Sequence, residues 1–253
     1  MTSPARLTID NSGSVRWITV NRPEKHNAFA PGLVDEFHSA LDDAASDPVT
    51  KAVIITGAGS KAFVAGNDVT SLSEMTSIEA YKDMRGGQRL MLRLHQFPKP
   101  TIAMVNGYAL GGGFELALAC DLIVASTTAK FGFPEITLNT MPGWGGTQFA
   151  VQKLGISRAK EMVLTGRHYL AEECYGFGFI ASLAEPDRLR SVTLALAESI
   201  CRHEAFALEV AKMTLNRAAD VPLGAGLDLE AAAYALNFGT AHAAAGFRRF
   251  LER

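Results

Sequence analysis

Two glutamates and a run of glycines are the residues whose types and spacing suit chemistry in this chain. An apolar, strand-like run from Thr101 to Val105 feeds Asn106-Gly107-Tyr108-Ala109-Leu110-Gly111-Gly112-Gly113-Phe114-Glu115, and a helix-like segment continues through Cys120. Glycines at a helix start let another molecule's polar atom approach the backbone with no Cβ in the way. The first amides of a helix lack partners within it and point outward as donors, aided by the helix dipole. Glu115 stands three residues after Gly112, in that first turn, so a backbone N–H and a carboxylate face one point. The pairing suits a carbonyl that turns into an enolate while a proton moves nearby.

Two further features accompany it. In Phe63-Val64-Ala65-Gly66-Asn67-Asp68 a strand ends in a glycine turn, where Ala65 offers a second backbone N–H. Glu135 follows Pro134 in a stretch otherwise made apolar by Phe131, Phe133, Ile136 and Leu138. Alone, each is weak. A glycine turn is usually only a turn, and a glutamate in a first helical turn more often offsets the dipole than catalyses.

Positioning these groups takes a sizeable core, and the chain has one. Its 253 residues, 48% hydrophobic and 20% charged, match a soluble α/β domain with appendages. The net charge of −2, with no basic run, recommends neither nucleic acid nor an anionic membrane as partner. The stretch from Met1 to Asn11 is polar, without the apolar centre of a signal peptide, and no apolar run is long enough to span a bilayer. Three widely spaced cysteines indicate neither a disulfide framework nor a zinc site, so a reducing cytoplasm is expected. The six histidines are scattered singly without His-Glu-x-x-His, and Gly57-Ala58-Gly59-Ser60-Lys61 lacks phosphate-loop spacing.

Hydrophobic periodicity supplies the elements. Leu7 to Asp10 and Val15 to Val20 predict a hairpin around Asn11-Ser12-Gly13, and a helix is expected from Pro31 to about Ala45. Short apolar runs at 52–56, 62–65, 101–105 and 122–126 read as strands, and 71–96 as helix with a weak point at Gly86-Gly87. Another helix opens at Met141-Pro142-Gly143-Trp144-Gly145-Gly146-Thr147. From about Asp187 the sequence reads as helical and Ala-rich, so a core over 1–193 and a helical region over 194–253 are expected. The recurring rhythm of strand, loop and helix favours a layered α/β fold.

Taken together, the motifs carry more than any one of them. Asn21-Arg22-Pro23-Glu24-Lys25-His26-Asn27-Ala28, Ala65-Gly66-Asn67-Asp68, the glycine-led segment through Glu115, Phe131-Gly132-Phe133-Pro134-Glu135 and Pro142-Gly143-Trp144-Gly145-Gly146-Thr147 occur in this order. With Met162 to Arg167 and Gly226 to Glu230, the set resembles the crotonase superfamily, also called the enoyl-CoA hydratase/isomerase family, over about the whole chain. The resemblance implies a crotonase-type spiral of ββα repeats, two roughly perpendicular sheets ringed by helices, and a C-terminal helical trimerisation region. A homotrimer or homohexamer is implied with it.

It also implies roles. The backbone N–H groups of Ala65 and Gly112 would form an oxyanion hole for the thioester carbonyl of an acyl-CoA. Glu115 and Glu135 match the two carboxylates of the family's hydratases, with Glu115 assigned toward water and Glu135 toward C2. The reverse assignment stays open because such pairs titrate together. The expected reaction is reversible addition of water across the C2=C3 bond of a 2-trans-enoyl-CoA, giving a 3-hydroxyacyl-CoA. The alternatives are an isomerase that shifts the double bond, or a hydrolase or C–C lyase on the same oxyanion hole. Coenzyme A, brought by the substrate, would lie along Lys25, His26, Ala28, Gly66, Asn67 and Asp68, with Trp144 a pocket wall. No metal or other cofactor is expected. Asn67 departs from the small residue frequent at its position, and Asn139-Thr140, Phe149 and Ala245 depart from the pattern too.

Overall fold

The computed structural model describes residues 5–252, so residues 1–4 of the polar N-terminal stretch, and residue 253, lie outside the described residues. The hairpin forms as expected: β1 (Leu7–Ser12) pairs antiparallel with β2 (Val15–Val20) through the turn at Gly13. β2 then starts a parallel run through β3 (Ala52–Gly57), β5 (Thr101–Val105), β7 (Leu122–Ser126) and β10 (Ser182–Ala184). A second sheet takes β4 (Ala62–Val64), β6 (Tyr108–Leu110), β8 (Lys130–Gly132) and β9 (Tyr169–Leu170) in that order.

Three times, then, one strand in the first sheet is followed by one in the second and by a helix. β3 and β4 lead to α2 (Val69–Leu72) and α3 (Ser77–His95), and β5 and β6 lead to α4 (Gly112–Ala119). β7 and β8 lead, through a 3-10 turn at Pro134–Leu138, to α5 (Gly146–Leu154). This is the spiral of ββα repeats. The small strands β6, β8, β9 and β10 escaped the sequence reading, being only two or three residues long with no room for an alternating pattern.

The central strands are buried on both faces, which is why β3 and β5 are apolar at nearly every position. Val53 and Ile55 face a core shared with α1 (Leu33–Ser46), α3 and α4, whereas Ala52 and Ile54 face the other side. That other side is covered by α8 (Leu189–Cys201), through Leu189, Ala197 and Cys201. A line between 193 and 194 therefore falls inside α8, a helix that belongs to the sheet. α6 (Ile156–Thr165) and α7 (Ala171–Gly176) precede it, and α9 (Ala205–Arg217), α10 (Leu223–Phe238) and α11 (Ala241–Leu251) complete the chain. The expected helix 71–96 is interrupted, with α3 beginning at a capping box in which Thr76 and Glu79 exchange hydrogen bonds. Among the described residues no helix is long and apolar enough to cross a membrane.

Candidate active site

α4 lies hard against β4, and its glycines make that possible. A Cβ on Gly113 would stand 1.8 Å from the carbonyl oxygen of Val64, so no other residue fits there without displacing backbone. Gly111 turns the chain from β6 into α4 with φ of 51°, a conformation that side chains rarely adopt. The result puts the N-terminus of α4 beside the loop that follows β4. A Cβ on Gly66 would lie 3.9 Å from the Gly112 nitrogen.

Three backbone hydrogen bonds zip that loop to His26 and Phe29, at the end of the polar loop. Ala65 N–H donates to His26 O (3.1 Å), Phe29 N–H to Gly66 O (2.9 Å) and Asp68 N–H to Phe29 O (3.0 Å). Lys25 and His26 are exposed beside it and Ala28 is half-buried, so the residues expected along coenzyme A form one continuous edge. The left-handed backbone of His26 and Asn27 makes the sharp turn there. Asn27, fully buried, holds it: its side chain donates to Ala58 O (3.0 Å) and Ala62 O (2.8 Å) and accepts from Arg22 N–H (2.9 Å). Nothing in residue type set Asn27 apart, because a buried asparagine in a polar loop reads like any solvated one.

The two backbone donors expected at the oxyanion hole are not equivalent. Gly112 N–H has no acceptor among the described residues, whereas Ala65 N–H is already engaged by His26. Asn67 leans over this point, its Oδ1 2.9 Å from where a Cβ on Gly112 would be.

Glu115 is 2% exposed, on a helix whose eight residues are all buried. Its Oε1 accepts from the backbone N–H groups of Trp144 (2.8 Å) and Gly146 (2.7 Å), at the start of α5. Burial dominates its ionisation and pushes the carboxyl up to about 7; the Gly146 N–H opposes that, and Glu135 nearby adds to it. Glu135 sits on the 3-10 turn that Pro134 begins and Asn139, left-handed, ends. Its Oε1 lies 2.9 Å from the place of a Cβ on Gly111, and its Oε2 is buried without a hydrogen-bond partner. Burial pushes this carboxyl up to about 7 as well. Both glutamates thus flank the turn from Gly111 to Glu115, each able to hold or release a proton near neutrality.

Trp144 closes the far side. Its indole stacks on the bare backbone of Gly87 in α3, where a Cβ would come within 2.0 Å of the ring, and meets the edge of Phe29 at 4.7 Å. Gly87, one of the pair read as a weak point in a helix, is a seat for the indole. Asp83, one turn earlier on α3, carries a buried Oδ2 without a partner, and nothing in the sequence marked it. Among the described residues no group of three or more His, Cys, Asp or Glu side chains is placed to hold a metal ion.

Known proteins resemble the chain over nearly its whole length. A family model described as enoyl-CoA hydratase/isomerase matches residues 10–253. A short-chain-enoyl-CoA hydratase of Clostridium acetobutylicum is 34% identical, over 98% of this chain and 95% of that protein. A 2,3-dehydroadipyl-CoA hydratase of Escherichia coli is 37% identical, over 98% and 96%. The crystal structure of an enoyl-CoA hydratase from Bacillus anthracis superposes with a TM-score of 0.94 at 33% identity, covering 98% of this chain and 96% of that one.

Proposed function

The chain belongs to the enoyl-CoA hydratase/isomerase family, and from that premise we propose that it adds water reversibly across the C2=C3 bond of a 2-trans-enoyl-CoA. The observation that carries the reading is the pair of carboxyls, Glu115 buried and Glu135 half-buried, both pushed up to about 7, on either side of one helix N-terminus. Near neutral pH such a pair shares its protons, one group ionised and the other not.

The ionised Glu115 takes a proton from water as the water oxygen bonds to C3. Electrons of the double bond move toward the thioester, whose oxygen becomes negative and accepts from Gly112 N–H. Protonated Glu135 then gives its proton to C2, and the charge on the thioester oxygen returns to the carbonyl. One water is consumed and the pair's proton has moved from one carboxyl to the other. Ala65 N–H reaches the same oxygen by sharing or releasing its bond to His26 O. Each such donor contributes ~3 kcal/mol to the transition state in comparable sites. The two carboxylates supply both proton transfers, so the reaction is written with coenzyme A as part of the substrate and with no metal or redox group.

Coenzyme A runs along Lys25, His26, Ala28 and the 65–68 loop, and Trp144 walls the acyl side. The protein acts in the cytoplasm, a reading supported by three free buried cysteines. It assembles as a homotrimer or homohexamer through its C-terminal helices. Support comes from Leu223, Phe250 and Leu251, at 78%, 76% and 83% exposure, far more apolar surface than an isolated helical end exposes without cost.

The test is the absorbance of the conjugated enoyl thioester when the protein meets crotonyl-CoA, beside Glu115→Gln and Glu135→Gln. Loss of absorbance abolished by either change upholds the two-carboxylate hydratase. An isomerase needs one base only, so turnover that survives Glu135→Gln points to that chemistry instead.

A further inference from the structure

α4 carries both parts of the proposed chemistry at one end: Gly112 N–H, without an acceptor among the described residues, and Glu115 three residues on. That end must stay open to a substrate, and no side chain caps it. Two of the helix's eight residues are glycines, which weaken a helix. Packing fixes α4 sideways, with Gly113 against the Val64 carbonyl, so the hold along its axis falls to the far end.

α5 grips both ends of α4. The N–H groups of Trp144 and Gly146, where α5 begins, donate to Glu115 Oε1 at 2.8 and 2.7 Å. In the last turn of α5, Lys153 Nζ donates to Cys120 O (2.5 Å) and Asp121 O (3.4 Å), just past the end of α4 at Ala119. A cation there suits the negative end of the helix dipole, and a charged donor makes the stronger bond. The Asp121 carboxylate is already engaged, by Thr101 N–H (2.7 Å), Thr101 Oγ1 (2.9 Å) and Lys212 Nζ (2.8 Å) from α9. Lys153 therefore serves the main chain rather than a counter-ion. Desolvation pushes its pKa down, a cost that a neutral donor would avoid. We propose that Lys153 is a positioning residue: its ammonium anchors the C-terminal end of α4 and keeps Gly112 N–H and Glu115 aligned with the amides that open α5.

What is positioned rests on the hydratase reading, so one arm of the test needs turnover and the other does not. In Lys153→Met, hydration of crotonyl-CoA, or of whichever enoyl thioester the parent turns over, should show kcat lower by about tenfold or more, with KM within about twofold. Glu115 then loses bonds that favour its ionised form, so the acid limb of the rate profile should move to higher pH. Lys153→Arg, which keeps a charged donor, should restore most of kcat. Lys160→Met, at an exposed position on α6, is the control and should change nothing. Should Lys153→Met fail to fold, Lys153→Gln takes its place, with the same changes and kcat lower by about threefold or more. Parent values of kcat and of the acid limb in the folded variant, a rise in KM alone, or equal losses in Lys153→Arg and Lys153→Met would overturn the anchor. Amide exchange followed by mass spectrometry over residues 111–120 should speed up in Lys153→Met and not in Lys160→Met. Unchanged exchange would defeat the anchor even where no enoyl thioester is hydrated. A parent that hydrates none, while its exchange responds to Lys153→Met, would sink the hydratase reading alone.

Discussion

The backbone N–H of Trp144 donates to Glu115 Oε1 at 2.8 Å, so one residue holds the buried carboxylate with its main chain and walls the adjoining cavity with its ring. The site and the pocket are mechanically joined at that point. A substitution that displaces the indole is expected to disturb proton transfer as well as binding.

Gly87→Ala tests this coupling. Its Cβ would need to occupy space within 2.0 Å of the Trp144 ring, so the indole must shift. Both KM and kcat should suffer, with kcat/KM falling tenfold or more. Steady-state kinetics separate this from a pure binding defect, in which kcat would stay unchanged.

Glu115→Gln keeps an oxygen to accept from Trp144 and Gly146 but cannot take a proton. Activity should fall by about 10²–10⁴, the range for losing a positioned acid or base, with the fold retained. Circular dichroism beside the rate assay checks both halves of that expectation.

The pH profile follows from the raised carboxyls. Both are about 7 in the folded protein against a usual 4.5, so the rate should peak near neutrality and fall on either side, once both groups are protonated or both ionised. Between about 4.5 and 7 the folded chain keeps protons that the unfolded chain releases, so these groups lower stability as pH rises through that window. Above it the cost of Glu115 is on the order of 3 kcal/mol. Denaturant titrations of Glu115→Gln at pH 5 and pH 8 should show the variant gaining relative to the parent only at the higher pH.

Gly113→Ala should lose stability toward the upper end of ~1–3 kcal/mol, since its methyl meets the Val64 carbonyl rather than a yielding side chain. Gly176, with nothing within 4 Å of the same position, is the control and should tolerate alanine. Urea midpoints for the two variants make the comparison.

Phe250→Glu with Leu251→Glu places charge on the exposed end of α11. If that face joins subunits, light scattering should show the oligomer falling to monomers, with the spiral core still folded. An unchanged mass would mean that assembly, if any, uses another surface.

Much of this protein was legible in its residues. The glycine run before Glu115 and the Ala65-Gly66 turn were marked by residue type, because close backbone approach demands glycine, whereas Pro134-Glu135 stood out only within the ordered set of motifs. The strands β3 and β5 and the helix α1 followed from periodicity, which depends only on which faces are buried. Distance was not legible. Burial raises the two carboxyls, and it comes from residues 20 positions apart in sequence folding onto one turn. The engagement of Ala65 N–H by His26, the seat of Trp144 on Gly87 and the orphaned Asp83 likewise exist only where separate loops and helices meet. Residue types fixed which groups were present; packing decided which of them lost water, and with it their chemistry.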